Sequence, residues 1–259
     1  MARDKVLIVL HQAHSTPGRI GRLLVEQGVE LDIRRPPLGD ELPATLADHQ
    51  GVVIFGGPMS ANDPDDWLKR EIDWIDVPLR EEKPFLGVCL GGQMLARNLG
   101  HRVAPHPLGH AEIGYYPIRP TRESENCFGR GYPSTVYQWH REGFDLPRGA
   151  TLLAEGDTFE VQAFRYGRNA IALQFHPEVT YAMMCRWTTR AWERMQLPNA
   201  QPAHAHLDGW RQHDRDVARW LNDFLRDWRA SARAVRAARA QPGAKSAAAV
   251  ALPMAAAPA

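Results

Sequence analysis

Pro84-Phe85-Leu86-Gly87-Val88-Cys89-Leu90-Gly91-Gly92-Gln93 is the stretch on which the fold turns. Its first half is a continuous apolar run that ends at a cysteine. Its second half is glycine-rich, and Met94 to Leu99 then takes up a pattern suited to a helix. A short uninterrupted apolar run reads as a strand buried on both faces, as parallel strands covered by helices are. Val6 to Leu10 and Gly51-Val-Val-Ile-Phe-Gly-Gly57 have the same character. Between these runs lie Gly18 to Gln27 and Asp65 to Leu79, the latter carrying Leu68, Ile72 and Ile75 at helical spacing behind Pro64, a helix-start residue. Strand and helix alternate, which predicts an α/β fold: a doubly wound, mostly parallel sheet with helices on both faces and ligands at the carboxyl ends of its strands.

From about Val103 to Ala172 the texture changes. Tyr115-Tyr-Pro-Ile118, Thr135-Val-Tyr137, Thr151-Leu-Leu-Ala154 and Val161-Gln-Ala-Phe164 are short runs broken by Gly, Pro and Asn, which predicts a small antiparallel extension. Ile171-Ala-Leu-Gln-Phe175 reads as a last core strand, and Thr180 is placed to cap a helix running through Met184, Trp187 and Ala191. The main domain is therefore expected over residues 1–198. Residues 199–240 form a helical extension in which Asp208 to about Arg229 carries Val217, Trp220, Leu221, Phe224, Leu225 and Trp228 at a period near 3.6. Such a stripe packs on the domain or on a second copy. Residues 241–259 are rich in Ala and Pro and read as a disordered tail, having little to offset the entropy of ordering them.

Composition narrows the function classes. With 31 Lys and Arg against 30 Asp and Glu, no net field recruits nucleic acid or an anionic membrane. The apolar run before His11 is too short for a signal segment or a membrane span, so a cytoplasmic location is expected. Three cysteines, Cys89, Cys127 and Cys185, without CxxC spacing fit neither a disulfide framework nor a zinc site; Cys127 and Cys185 read as structural or incidental. His101, His106 and His110 lie in a Pro- and Gly-rich stretch without a recognised ligand pattern, and His204, His206, His213 and Asp214 read as a solvated linker and helix start. Neither a metal nor a cofactor is assigned.

The chemistry gathers at the ends of the predicted strands. Glycines two residues before and after Cys89 allow a tight strand-to-helix turn that holds the sulfur over the sheet edge, and the helix N-terminus beneath favours an anion there. Leu90 N–H, just after the nucleophile, is one candidate donor to an oxyanion; Gly57 N–H in Gly56-Gly57-Pro58-Met59-Ser60 is the other. A thiol nucleophile needs a base, and the base needs an orienting acceptor. His176-Pro177-Glu178 supplies both, so Cys89, His176 and Glu178 are expected to form a triad.

Gly87-Val-Cys-Leu-Gly-Gly-Gln93, Phe55-Gly-Gly-Pro-Met-Ser60 and Gln174-Phe-His-Pro-Glu-Val179, in this chain order, resemble the three signatures of the class I glutamine amidotransferases. The resemblance covers about residues 4 to 190, and its texture is closest to the stand-alone, GMP-synthase-like branch. It implies a γ-glutamyl thioester on Cys89, ammonia release and hydrolysis to glutamate. It also implies that Gln93 and the loop around Trp139 and His140 hold the amino-acid end of glutamine or another γ-glutamyl substrate. Trp139 and Arg141 stand where several members carry a small polar residue and a glycine. Neither a phosphate loop nor a Ser-Gly-Gly-x-Asp-Ser motif is present, so an acceptor for the ammonia implies a synthetase partner. The alternatives are a γ-glutamyl peptidase using the same triad and a non-catalytic regulatory module.

Overall fold

A computed structural model of the chain describes residues 4–128 and 131–240, without the side chains of 126–128 and 231–240. The elements of the first half are β1 (Lys5–Val9), α1 (Gly18–Glu26), β2 (Glu30–Arg34), β3 (Gly51–Ile54), α2 (Asp66–Trp74), α3 (Asp76–Arg80), β4 (Phe85–Val88) and α4 (Leu90–Asn98). After them come β5 (Val103–Pro105), β6 (Glu112–Pro117), β7 (Arg119–Pro120), α5 (Arg122–Phe128), β8 (Thr135–His140), β9 (Glu142–Phe144), β10 (Ala150–Glu155) and β11 (Val161–Tyr166). The last elements are β12 (Ala170–Leu173), α6 (Tyr181–Arg190) and α7 (Ala203–Ala240).

Among the described residues the central sheet has 8 strands in the order β2-β1-β3-β4-β12-β11-β10-β7. Its first five strands are mutually parallel, and β11, β10 and β7 continue it in antiparallel fashion. The antiparallel region is thus partly an extension of the main sheet, with only the ribbons β5-β9 and β6-β8 standing apart. Alternation along β1 explains the layering. Val6 and Ile8 enter a core with Ile20, Leu24, Leu221 and Phe224, whereas Leu7 and Val9 enter one with Leu68, Leu90, Met94 and Leu95. Both faces are buried, as the unbroken apolar runs required.

Several expected boundaries move for identifiable reasons. The single helix expected over Asp65–Leu79 is two, parted at Ile75. Pro78 has no N–H for the Trp74 carbonyl and its ring crowds that group. The helix expected from Met94 starts at Leu90, and the last core strand stops at Leu173. Thr180 does cap α6, its Oγ1 accepting from Met183 N–H at 3.3 Å. The helix expected from Asp208 begins at Ala203, and its Trp220, Leu221, Phe224 and Leu225 are buried on the sheet of this same chain. Burying Leu221, Phe224 and Leu225 contributes about 1.5–3 kcal/mol each. His206 is not in a solvated linker: it is fully buried, meeting the Tyr137 hydroxyl at 2.9 Å and the Gln201 carbonyl at 3.1 Å. The expected tail 241–259 lies outside the described residues. No helix among those described is long and apolar enough to cross a membrane.

Candidate active site

Cys89 lies between β4 and α4 with φ 50° and ψ −106°, a region that costs a non-glycine residue about 1–3 kcal/mol. The surroundings hold it there. Its N–H donates to Leu173 O at 2.7 Å, and its carbonyl accepts from Gln93 N–H at 2.9 Å. The flanking glycines are required by contact: a Cβ on Gly87 would lie 2.5 Å from Gly91 O, and one on Gly91 would lie 2.1 Å from Ile54 O. Leu90, Gly91 and Gly92 begin α4, where N–H groups lack helical acceptors and can serve a ligand.

His176 and Glu178 follow β12. His176 N–H donates to Tyr137 O at 2.8 Å, its Nδ1 meets Glu178 Oε1 at 2.8 Å, and its ring packs edge-on to Trp187 at 5.1 Å. With Nδ1 engaged by the carboxylate, Nε2 is buried and has no hydrogen-bond partner. Burial alone would lower the His176 pKa, but the Glu178 carboxylate and the Cys89 sulfur push it up to about 10. Cys89 is close: a Cβ on Gly56 would sit 2.8 Å from His176 Cε1 and 3.5 Å from Cys89 Cβ.

Two hollows meet here. One, of about 20 Å³, is bounded by Cys89, Leu90, Gln93, His140 and Arg141; the other, of about 300 Å³, by His176, Glu178, Arg186, Arg190 and residues of the β1–α1 loop. Gly57, Pro58, Trp139 and Arg194 border both. Every site residue expected from sequence thus lies on this cleft. Gln93 is buried, its amide donating to Glu142 O at 2.9 Å, while both ring nitrogens of His140 are engaged, by Glu142 O and Glu112 Oε2 at 3.0 Å each. Burial, reinforced by the neighbouring Arg141 guanidinium, lowers the Arg194 pKa. No group of three His, Cys, Asp or Glu among the described residues is arranged to hold a metal ion.

Supporting residues that sequence reasoning missed hold these pieces together. Gln174 Nε2 approaches Cys89 Sγ at 3.8 Å and its Oε1 accepts from Gln93 at 3.4 Å. Buried Arg19 bonds the Pro177-Glu178 segment twice, through its own N–H to Glu178 O at 2.8 Å and its guanidinium to Pro177 O at 3.5 Å. Gly18 beside it has φ +53°, and a Cβ there would lie 2.3 Å from Glu178 O. Buried His11 links Gly56 O at 3.1 Å to Glu71 Oε1 at 3.0 Å, and since both partners are acceptors the ring donates twice, consistent with a raised pKa in which Glu71 outweighs burial. Only the Gln174-to-Val179 run carried a visible signal of these roles, because Gln174 lies inside a recognised motif.

Residues 12–184 match the family described as glutamine amidotransferase class-I. The chain is 28% identical over 184 residues to the glutamine amidotransferase-like protein YfeJ of Salmonella typhimurium, covering 68% of this chain and 76% of that one. It is 32% identical over 164 residues to γ-glutamyl peptidase 4 of Arabidopsis thaliana, covering 60% and 64% respectively. A solved glutamine amidotransferase of Thermotoga maritima superposes with a TM-score of 0.79 at 32% identity, over 87% of this chain and 98% of that one. Complete GMP synthases also match, but the match spans only 31% of the Campylobacter fetus protein and 34% of the Cytophaga hutchinsonii one. A motif order shared along the chain, a shared sheet and a match over most of its length lead to one assignment: the chain belongs to the class I glutamine amidotransferase family.

Proposed function

We propose that the protein hydrolyses the side-chain amide of glutamine or a related γ-glutamyl compound, with Cys89 as nucleophile. The observation that carries this reading is the meeting of a strained Cys89 with a buried imidazole whose far nitrogen is held by Glu178 at 2.8 Å. Cys89 gives its proton to His176 Nε2 as the sulfur bonds the γ-carbonyl carbon. The oxygen becomes an anion between the N–H groups of Gly57 and Leu90, where fixed donors favour the transition state over the planar amide. Collapse breaks the C–N bond, and His176 returns the proton to the departing amine. Water then attacks the thioester, giving the glutamyl acid and restoring the thiol. Glu178 keeps the imidazole in the tautomer this cycle needs. Gln93, Trp139 and His140 border the space for the amino-acid end of the substrate.

With glutamine the product is ammonia. The relatives that are GMP synthases combine glutamine hydrolysis with synthesis, as their name states, but this chain carries no nucleotide-binding motif, so an ammonia acceptor would be a separate synthetase. The second reading, a γ-glutamyl peptidase, is favoured by the 300 Å³ cavity beside His176 and by a relative of that name.

The test is release of ammonia and glutamate from glutamine, and of amine from γ-glutamyl peptides, by the purified chain. Cys89→Ala is expected to lower turnover by roughly 10⁴-fold or more, as loss of a covalent nucleophile does. Turnover that survives this substitution would rule out the thiol mechanism.

A further inference from the structure

Ammonia needs almost no room, yet His176 and Glu178 line a cavity of about 300 Å³. The hollow bounded by Cys89 has about 20 Å³, room for roughly one water molecule. The larger space is of the size that takes a small organic ligand. Its charge is one-sided. Arg186 and Arg190 of α6 and Arg194 of the turn after it recur at intervals of four and all face this cavity. Among the described residues none of the three is ion-paired. The cavity's one carboxylate, Glu178, is bound to His176.

Like charges at this spacing weaken a helix, so the fold gains nothing from the row by itself. Arg194 is half-buried and lies near Arg141, and burial together with that neighbour opposes its charge. An anion in the cavity would relieve both. Gln12, Ser15 and Thr16 on the opposite wall offer further polar groups to such a ligand.

We propose that this cavity receives the leaving amine, and that the amine carries a carboxylate or similar anion, so that the preferred substrate is a γ-glutamyl peptide ending in a free carboxylate rather than glutamine. The inference rests on the hydrolase reading above: His176 must protonate the amine nitrogen, so whatever that nitrogen bears extends into the space His176 lines. A concave cavity with Arg194 partly inside it favours a small ligand over the acidic face of a protein partner.

The experiment compares kcat/KM of the full-length chain for γ-glutamylglycine, γ-glutamylglycinamide and glutamine. The two dipeptides differ only in the free carboxylate. Charge-assisted bonds of this kind predict that the free acid is preferred by roughly tenfold to hundredfold. In Arg186→Gln/Arg190→Gln the ratio of the two is expected to fall toward one. Each variant serves as its own control for folding, because only its ratio is read; the single Arg190→Gln change gives the same readout should the double variant be insoluble. Equal rates for the dipeptides, a ratio untouched by the arginine changes, or glutamine as the best substrate would overturn the leaving-group inference while leaving the hydrolase reading intact. Silence on all three substrates would instead overturn the hydrolase reading and this inference with it.

Discussion

Glu178 is buried, and its carboxylate, rather than the thiol, is what makes the imidazole titrate late. Desolvation pulls the His176 pKa down, while Glu178 and then Cys89 raise it to about 10. A folded-state pKa above the unfolded value of about 6.5 means that the protonated ring stabilises the fold. That contribution is complete below about pH 6.5 and disappears as pH rises through about 10. In Glu178→Gln the His176 midpoint, followed by NMR, is expected to fall, the loss of stability across this window to flatten, and turnover to drop roughly 10²–10⁴-fold. An unchanged midpoint would show that Glu178 does not govern the ring. This pair was legible from His176-Pro177-Glu178, because a base and its acceptor stood two residues apart at a strand end. Gln174, His11 and Arg19 were not, although each lies within hydrogen-bond reach of the site or its loops. Their partners are distant in sequence, and a lone Arg or His before a helix looks like any solvated side chain.

At the scale of an element, α4 shows how tertiary packing overrides propensity. Two glycines at its start read as loop, since glycine is a poor helix former. In the fold Leu90–Asn98 is one helix, and Gly91 is inside its first turn, pressed against the β3 backbone. Ala in an isolated helix is more stable than Gly by about 0.5–1 kcal/mol. Here the added Cβ would meet Ile54 O at 2.1 Å, and backbone cannot swing aside as a flexible side chain can. Gly91→Ala is therefore expected to destabilise by about 1–3 kcal/mol, the range for overpacking. Denaturant unfolding checks the sign. A more stable variant would mean that the sheet and helix can separate at this point. The parallel strands were legible because burial on both faces leaves an unbroken apolar run. The joining of β11, β10 and β7 to the main sheet was not, because hairpin texture says which segments are strands and leaves their neighbours open.

Across the whole molecule, α7 reaches back to the cleft. Its apolar stripe covers the sheet beside α1, and its first turns carry two polar links to the site. His206 meets the hydroxyl of Tyr137, whose carbonyl holds His176 N–H, and Asp214 meets the Arg19 guanidinium at 2.5 Å. The same guanidinium lies over the Trp210 ring at 5.4 Å and donates to Pro177 O. The stripe could be read from its period, whereas the polar links join residues nearly 200 positions apart and leave no local trace. Arg19 is buried and Asp214 is partly exposed, so removing the carboxylate strands a charge that water reaches only from one side. Asp214→Ala is expected to cost about 1–3 kcal/mol, the range for an orphaned polar group. Freed from Asp214, the Arg19 guanidinium also loosens its hold on Pro177, so kcat should fall more than stability alone explains at temperatures where the variant is fully folded. Asp214→Asn, which keeps an acceptor, should recover much of both. A variant that loses stability while keeping kcat would make the Arg19–Asp214 link a fastener of α7 alone, with the His176–Glu178 segment held by the Arg19 backbone N–H and the Tyr137 carbonyl.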